Sequence, residues 1–214
     1  MALARLQRWR AARRTLQGLG AAEDNPVPRG KKIAAQAKTL GYSGPMLGSG
    51  SKVCVRKGKV ADAPAIAEVF RESWLLAYRG IIPHVQLEGY IRRRTPEWWR
   101  SAVRSSEGTL VLELDDKLVG YATFGSARNR GPYQGEIYEL YLDPVHQGLG
   151  FGERLFESCR HALETRKVRG VIVWSLIDNT PACNFYWRRG GRPIATSFTK
   201  IGTAKLEQVA FAWR

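Results

Sequence analysis

A glycine-rich segment that follows a strand pattern has the residue types to bind a phosphate group. It covers residues 147–152 and reads Gln-Gly-Leu-Gly-Phe-Gly. Glycine lets the backbone approach a ligand closely, and apolar residues at every fourth position from Phe151 to Leu163 predict a helix after it. The N–H groups and the positive end of the helix dipole would then point at one place. The segment predicts a diphosphate site, with a tight turn and close helix packing as the alternative.

The spacing of the glycines excludes two common phosphate-binding motifs. No Gly-Lys-Ser/Thr follows them, so the segment is not a Walker loop. Gly148, Gly150 and Gly152 are spaced GxGxG, whereas the dinucleotide fingerprint is GxGxxG. The pattern therefore indicates a different phosphate-bearing ligand.

The elements around this segment predict the fold class. Apolar and β-branched patterns predict strands near residues 53–60, 109–114, 117–124, 135–142, 171–177, 193–199 and 206–213. A helix is predicted after Asp62, which can cap it, with Pro64 in its first turn. Further helices are predicted near 85–90, 96–104 and 152–166 and from Thr180 to Gly190, and Asp115-Asp116 predicts a tight hairpin. This order predicts an α/β (α+β) domain with a mixed sheet, in which a crossover helix over 152–166 makes the strands on either side parallel.

Residues 1–51 differ in composition from the remainder of the chain. They hold nine Lys/Arg and two acidic residues, a net +7, whereas residues 52–214 hold twenty-five and seventeen, a net +8. Eight Gly and Pro residues from Pro26 to Gly50 argue against a packed core. We expect a basic, disordered extension over 1–51 and one domain over 52–214. A start codon assigned too far upstream stays open, and an organelle-targeting segment is the less favoured alternative.

The overall composition is that of a soluble globular protein, with 44% hydrophobic and 25% charged residues. No apolar stretch is long enough for a membrane span. The three cysteines form no pairing pattern and the three histidines have no metal-ligand spacing, so no metal is expected. A reducing cytoplasm is the simplest compartment. The sequence allows a homodimer without deciding the oligomeric state. The positive charge could attract nucleic acid, but a solvated tail beside a domain that binds a polyanionic ligand is the favoured interpretation.

Three segments resemble the GCN5-related N-acetyltransferases, the GNAT family. Residues 147–152 match the signature Q/R-x-x-G-x-G/A, residues 179–190 are similar to N-x-x-A-x-x-x-Y-x-x-x-G, and residues 74–83 resemble the first-helix region of bacterial members. They lie in family order within residues 52–214. Gln147 stands where arginine is commoner, which removes one charged contact to phosphate. The resemblance implies a mostly antiparallel sheet of six to seven strands flanked by helices, with splayed fourth and fifth strands, and an enzyme that acetylates a primary amine with acetyl-CoA.

The resemblance also implies a binding site for acetyl-CoA. Its pantetheine arm would enter the splay and pair with the backbone of Leu140, Tyr141 and Leu142. Its diphosphate would lie on the loop formed by Gln147, Gly148, Leu149, Gly150, Phe151 and Gly152. Asn179 would contact the cofactor or a water, with a residue of a helix N-terminal turn as the alternative.

Two strand carboxylates are candidates for the base that takes the proton of the amine. Strand alternation places Glu136 and Glu139 on opposite faces. Counting back four residues from Leu140 gives Glu136, the position at which the histone-modifying members of the family carry their base, so Glu136 is preferred and Glu139 is the runner-up. The alternatives are an exposed strand-edge charge for either residue and a chain of waters as the base. Tyr186 matches the family tyrosine that protonates the departing thiolate, with a core aromatic as the alternative.

Acceptor recognition is expected from the first-helix region and the late hairpin. The candidates are Trp74 and Tyr78, with Trp98 and Trp99 behind them, and each could equally belong to the core. Arg128 and Arg130 could favour an acidic acceptor or the cofactor phosphate, although a solvated loop is preferred, and residues 92–94, three arginines, are interpreted as a solvated face. A nucleic-acid-associated protein and a catalytically silent acyl-CoA sensor remain the alternative functions.

Overall fold

The computed structural model describes residues 51–128 and 131–214. Apart from Ser51, the predicted basic extension over 1–51 lies outside the described residues, and so does Arg130. Within the described part, seven strands form one mixed sheet that is flanked by five α-helices.

The strands follow the sequence prediction closely. They are β1 (Val53–Lys57), β2 (Gly108–Leu114), β3 (Lys117–Ser126), β4 (Gly135–Leu142), β5 (Val171–Leu176), β6 (Arg192–Ile201) and β7 (Ala204–Trp213). Their order in the sheet is β1-β2-β3-β4-β5-β7-β6. Among these strands, β4 and β5 pair in parallel and the other neighbours are antiparallel. The predicted α/β (α+β) class, with a mixed and mostly antiparallel sheet, is confirmed.

The helices are α1 (Ala63–Tyr78), α2 (His84–Arg93), α3 (Pro96–Ser105), α4 (Phe151–Thr165) and α5 (Thr180–Arg188). Proline lies in the first turn of α1, as predicted. Asp62 is the N-cap residue of α1, but its side chain makes no capping hydrogen bond to that helix. Its carboxylate instead accepts from the guanidinium of Arg56 and from the backbone N–H of Lys59. The expectation that Asp62 caps α1 through its side chain was therefore wrong.

The β2–β3 hairpin turns at the two residues that the sequence indicated. Asp115 and Asp116 have φ values of 48° and 63°. Both central residues of a type I′ turn require positive φ, and aspartate tolerates this better than most residues because its side chain can hydrogen-bond locally. The predicted hairpin is confirmed.

The helices cover the two faces of the sheet. Tyr121 and Phe124 of β3 are three residues apart and so point to opposite faces. The ring of Trp99 in α3 packs against Tyr121, and α1 contributes to the same core. The guanidinium of Arg166, just after α4, lies over Phe124. We therefore call the side of α1, α2 and α3 the Tyr121 face, and the side of α4 and α5 the Phe124 face.

The parallel pair at the centre of the sheet separates halfway along its length. Residues 135–137 of β4 pair with residues 171–173 of β5, and the pairing stops at Ile137 and Val173. β4 nevertheless continues to Leu142 and β5 to Leu176. The predicted splay of the fourth and fifth strands is confirmed, and it leaves one backbone edge of β4 without a strand partner from residue 138 onward.

A β-bulge in β4 changes which face its side chains point to. Thr123 of β3 lies opposite Glu139, and the next residue of β3 lies opposite Ile137, so Tyr138 is an extra residue in β4. Glu139 is opposite Thr123 and Glu136 is opposite Gly125, two positions further along β3. Paired residues share a face, so both glutamates lie on the Tyr121 face. Simple alternation had predicted opposite faces, and the bulge makes that expectation wrong.

Candidate active site

The glycine-rich loop begins where the splay opens. Gly148 and Gly150 have φ values of +79° and +83°, in the left-handed region, and an added Cβ at either position would meet nothing within 4 Å. Gly150 is the N-cap residue of α4, and its carbonyl accepts the first helical hydrogen bond, from the N–H of Arg154. The N–H groups of the turn before Arg154 have no partner within the helix. The loop therefore presents N–H groups without helical partners at a helix N-terminus.

Gly152 has a different reason to be glycine. A Cβ there would lie 3.1 Å from the ring of Phe185 in α5 and 3.5 Å from a methyl of Leu142. The first turn of α4 thus packs directly on α5 and on the end of β4. Close helix packing, the alternative interpretation of the motif, therefore holds for Gly152, while Gly148 and Gly150 keep the loop open.

The Gln147 side chain is turned back towards the strand. Its Nε2 donates to the carbonyl of Leu142 at 3.2 Å, and the hydroxyl of Ser73 in α1 donates to the same carbonyl at 2.7 Å. That carbonyl is therefore occupied at the mouth of the splay. Ser73, buried in the middle of α1, had no signal in the sequence.

The three residues that were predicted to pair with a pantetheine arm do not all face the gap. The N–H of Asp143 donates to Val119 of β3 at 2.9 Å. Backbone groups of an antiparallel strand alternate between its two edges, so Tyr141 also directs its N–H and C=O towards β3. Leu140 and Leu142 direct theirs towards β5, into the splay. The Leu142 carbonyl already has two donors. The N–H groups of Leu140 and Leu142 and the carbonyl of Leu140 are therefore the backbone groups that face the splay and remain available.

Tyr78 of α1 lies at the splay and links its two sides. Its hydroxyl is 2.8 Å from the hydroxyl of Tyr141 on β4. Burial raises the pKa of Tyr78 to about 12, and hydrogen bonds with Tyr141 and Asn179 act against that rise. Asn179 follows β5, is buried, and accepts from the N–H of Ala182 at 3.2 Å as the N-cap of α5. The helix-turn role that was the alternative for Asn179 is present, and its side chain also reaches the splay.

Tyr186 lies on the other face, among aromatic residues of α4, α5 and β7. Its ring packs against those of Phe156, Phe185, Phe211 and Trp213 at centroid distances of 6.0, 5.2, 5.9 and 6.1 Å. Burial, followed by electrostatic repulsion from Tyr78, raises the pKa of its phenol. Within the described residues its hydroxyl has no hydrogen-bond partner. Tyr186 is thus a core aromatic whose neutral hydroxyl is available as a donor.

Glu136 is buried and fully engaged by one arginine. Its side chain is 1% exposed. The backbone N–H of Arg128 donates to Oε2 at 2.9 Å and the Nε donates to Oε1 at 3.0 Å, and Nη2 contacts Oε1 as well. Arg128 itself is largely exposed and lies over the ring of Tyr138. The hydrogen bond with Glu136 raises the pKa of the Arg128 guanidinium. Both oxygens of this carboxylate therefore have strong partners.

Glu139 has weaker partners on the same face. The hydroxyl of Tyr121 donates to its Oε2 at 3.1 Å, and Nη1 of Arg94 is 3.4 Å from Oε1. Burial raises the pKa of Glu139, and the charge of Arg94 together with the Tyr121 hydrogen bond opposes that rise. Glu139 lies in the part of β4 that has separated from β5 and is therefore next to the splay. Glu136 lies in the part of β4 that still pairs with β5.

The tryptophans proposed for acceptor binding fall into two groups. Trp74 and Trp99 are 6% and 1% exposed and belong to the core under α1 and α3. Trp74 stacks on Tyr90 with centroids 4.5 Å apart. Trp98 is 40% exposed and carries the guanidinium of Arg94 at 3.7 Å from its ring centroid. Trp98 alone of these three is positioned at the surface.

Arg94 and Tyr121 are functional candidates that the sequence did not single out. The three arginines at 92–94 were interpreted as a solvated face, which is correct for Arg92 and Arg93. Arg94 is wrongly described in that way, since its side chain is only 16% exposed and contacts Glu139. The Arg94 side chain reaches Glu139 because α2 ends close to β4. No local sequence pattern encodes the distance between these two elements.

The described residues contain neither a metal cluster nor a membrane-spanning helix. Among residues 51–128 and 131–214, no group of three His, Cys, Asp or Glu side chains is arranged to hold a metal ion. In the same part of the chain, no helix combines the length and the apolar character that crossing a membrane requires.

Comparison with known proteins identifies the family. The model of the acetyltransferase (GNAT) family matches residues 65–190. YuaI of Bacillus subtilis, described as an uncharacterized N-acetyltransferase, is 30% identical over 164 residues, which cover 75% of this chain and 92% of YuaI. A spermidine N(1)-acetyltransferase of Thermoplasma acidophilum is 25% identical over 142 residues, 64% of this chain and 86% of that protein.

A solved structure has the same fold. The PaiA N-acetyltransferase of Thermoplasma acidophilum, crystallised in complex with coenzyme A, matches with a TM-score of 0.61 at 21% identity, covering 73% of this chain and 98% of PaiA. The family model spans more than half of the chain, and the match to YuaI includes nearly all of that protein. This chain therefore belongs to the acetyltransferase (GNAT) family.

Proposed function

We propose that this chain transfers an acetyl group from acetyl-CoA to a primary amine of a small molecule or a peptide, by direct attack in a ternary complex. The observation that carries the proposal is the junction of the splay with the glycine-rich loop. Backbone groups of Leu140 and Leu142 face the gap, and the open N–H groups of residues 148–153 lie at its end. A ligand with an amide-containing arm and a diphosphate has groups that complement both.

Acetyl-CoA fits this arrangement in its chemistry. The amides of the pantetheine arm would pair with the strand edge as an added strand does. The diphosphate would accept from the loop N–H groups and gain from the dipole of α4. Two relatives support the assignment: YuaI is described as an N-acetyltransferase, and PaiA was crystallised with coenzyme A. The family model begins at residue 65, and we infer that residues 52–214 are the transferase domain.

We assign the base to Glu139 in preference to Glu136. A general base must have an unshared oxygen lone pair and a pKa near the working pH. Glu136 is held by three donors of Arg128, so taking a proton would break strong hydrogen bonds. Glu139 has longer contacts, and burial moves its pKa upward towards neutrality. The prediction of Glu136 from the family register stays a prediction, and the hydrogen bonds weigh against it.

We assign the acid to Tyr186, as the family resemblance implied. Because burial and the nearby Tyr78 raise its pKa, the phenol is protonated throughout the physiological range. A protonated phenol can donate to a departing thiolate. The roles of Tyr78 and Trp74 in acceptor binding also remain proposals, and the position of Tyr78 at the splay supports the first more than the core position of Trp74 supports the second.

The proposed reaction needs few groups and balances without a metal. The amine nitrogen attacks the thioester carbonyl, a C–N bond forms, and the C–S bond then breaks. The proton lost by nitrogen goes to Glu139, and the thiolate sulfur receives one from Tyr186. Glu139 then releases its proton to solvent and Tyr186 takes one up from solvent, which restores both groups. Holding the two reactants in one site supplies much of the acceleration. The products are the acetylated amine and the free thiol of coenzyme A.

Calorimetry of the full chain with acetyl-CoA, followed by a thiol-release assay over a panel of primary amines, tests the proposal. We expect saturable binding and release of thiol that depends on at least one amine. Absence of acetyl-CoA binding would contradict the proposal. Binding without thiol release for any amine would favour a catalytically silent acyl-CoA sensor. Salt-sensitive nucleic-acid binding that is lost on deletion of residues 1–51 would support the alternative function, that of a nucleic-acid-associated protein.

A further inference from the structure

The last of three consecutive arginines lies in an environment that differs from that of its neighbours. Arg92 and Arg93 end α2 and are exposed. Arg94 is the C-cap residue, and its side chain is only 16% exposed. An arginine is seldom buried unless it has specific partners, so its contacts indicate what it does.

Aromatic side chains of α1, α2 and α3 hold the Arg94 guanidinium in place. Its Cζ lies 3.7 Å from the ring centroid of Trp98 and 5.1 Å from that of Tyr90, and Phe70 and Trp99 follow at 5.5 and 5.7 Å. Nη2 donates to the hydroxyl of Tyr90 at 2.6 Å. Stacking, cation–π attraction and the hydrogen bond to Tyr90 therefore hold this charge in position from the side of the helices.

The guanidinium of Arg94 lies beside the Glu139 carboxylate but makes no short hydrogen bond to it. Nη1 is 3.4 Å from Oε1, longer than the usual N–H···O hydrogen bond of about 2.9 Å. The other oxygen accepts from Tyr121 at 3.1 Å. Arg94 thus supplies electrostatic attraction and leaves lone pairs of the carboxylate available for a proton. Arg128, in contrast, donates hydrogen bonds to both carboxylate oxygens of Glu136.

Other ionisable groups also face Glu139, and none of them replaces Arg94. They are Tyr78 on α1, Tyr121 on β3, Tyr141 on β4 and Arg128 in the loop after β3. From α2, the hydroxyl of Tyr90 accepts from Arg94. Burial raises the pKa values of Tyr121 and Tyr141 well above the ordinary value and that of Tyr78 to about 12, so these phenols carry no charge at neutral pH. Arg128 is committed to Glu136.

Resting on the proposed acetyl transfer, we propose that Arg94 is a positioning residue for the reaction: its guanidinium, held by Trp98 and Tyr90, keeps the Glu139 carboxylate ionised and oriented and so sets the lower pH limit of activity. The proton still moves from the amine nitrogen to Glu139. Arg94 neither gives nor takes a proton. Its effect lies in the equilibrium between the two forms of the carboxylate.

The sign of the effect follows from this role. A base is active when it is ionised, so kcat/KM falls as the pH drops below the pKa of the base. Removing a nearby positive charge raises that pKa, because the ionised form loses a favourable interaction. The acid limb of the pH profile should then move to higher pH. Since one opposite charge at this distance shifts a pKa by roughly one unit or more, we expect a shift of about one pH unit.

The pH dependence of kcat/KM for Arg94→Gln, measured with the full chain and one amine, tests the proposal. We expect the acid limb to rise by about one pH unit, so that below the limb kcat/KM falls about tenfold while at high pH it approaches the unsubstituted value. Arg94→Lys keeps the charge and should restore most of the limb. Arg92→Gln, an exposed neighbour, is the matched control and should leave the profile unchanged. The affinity for acetyl-CoA should stay within about twofold in all three, because the loop is not altered.

Several outcomes would decide against the proposal. An unmoved acid limb in a folded Arg94→Gln protein would overturn it, and so would an upward shift of the same size in Arg92→Gln. If Arg94→Gln does not fold, Trp98→Leu provides the second test, since it loosens the guanidinium and keeps its charge. We expect a smaller upward shift there, and an unchanged limb in a folded Trp98→Leu protein would contradict the positioning role. Adding Arg94→Gln to Glu139→Gln should change nothing further in the profile. Failure of the proposed function itself would be distinct, since the unsubstituted protein would then bind no acetyl-CoA or release no thiol.

Discussion

The two glutamates of β4 lie on the same face of the sheet, three positions apart, in opposite chemical settings. Glu136 is in the part of the strand that pairs with β5, is 1% exposed, and accepts three hydrogen bonds from Arg128. Glu139 is in the separated part, accepts from Tyr121, and has Arg94 at 3.4 Å. A carboxylate whose oxygens are filled stabilises structure, whereas one that is buried with loose partners can exchange a proton. The partners of a carboxylate, rather than its place in a family register, therefore decide which role it can take.

Replacing Glu139 should give the largest effect. Glu139→Gln keeps the shape of the side chain and removes its ability to take a proton, so we expect kcat to fall about 10²–10³-fold. Acetyl-CoA affinity should be nearly unchanged, as calorimetry on the same preparation would verify. Turnover within threefold of the unsubstituted protein would remove Glu139 from the mechanism and leave water as the proton acceptor.

Disrupting the other pair should damage stability instead of catalysis. Arg128→Ala removes the guanidinium donors from the buried Glu136 carboxylate and keeps only the hydrogen bond from the backbone N–H of residue 128. We expect it to lower the free energy of unfolding by about 2 kcal/mol. Glu136→Gln should be milder, because the exposed arginine it leaves can be hydrated. Denaturant unfolding measures the loss of stability in both variants. The thiol-release assay measures their turnover, which should stay close to that of the unsubstituted protein. A Glu136→Gln protein that is stable yet loses turnover a hundredfold would indicate that Glu136, rather than Glu139, is the base.

Tyr186→Phe tests the proposed acid. We expect kcat to fall about tenfold, less than for the base, because a thiolate of pKa near 8.5 departs readily without a proton. The ring packing against Phe156 and Trp213 is retained, so stability should change little. Full turnover in Tyr186→Phe would leave Tyr186 with a core role alone.

Gly150→Ala should have the smallest effect and leaves both glutamates intact. The position has φ +83° with no neighbour near an added Cβ, so the cost comes from backbone strain, of about 1 kcal/mol. We expect a several-fold weaker affinity for acetyl-CoA in calorimetry, with kcat at saturation and the acid limb unaltered. A changed pH profile would show that the loop and the proposed base are coupled, and would contradict the expectation that the loop affects acetyl-CoA binding alone.

The sequence predicted the elements and the family site because both are encoded locally. The strand-forming residues between Ile137 and Leu142, and the apolar residues at every fourth position from Phe151 to Leu163, are sufficient to predict β4 and α4. The same local reasoning assigned the two glutamates to opposite faces, since nothing in residues 135–142 signals that Tyr138 is bulged. It also left Arg94 among the solvated arginines, because the contact with Glu139 joins residues 45 positions apart. Bulges and long-range partners depend on tertiary packing, and these decide which carboxylate has lone pairs available.

The pH dependence of kcat/KM, compared between Glu136→Gln and Glu139→Gln with the same amine, tests the central claim most directly. The ionisation of the amine is common to both variants and cancels in the comparison. We predict that Glu136→Gln keeps the acid limb of the unsubstituted protein and that Glu139→Gln loses it. Loss of the limb in Glu136→Gln, with the limb intact in Glu139→Gln, would contradict the assignment of the base to Glu139.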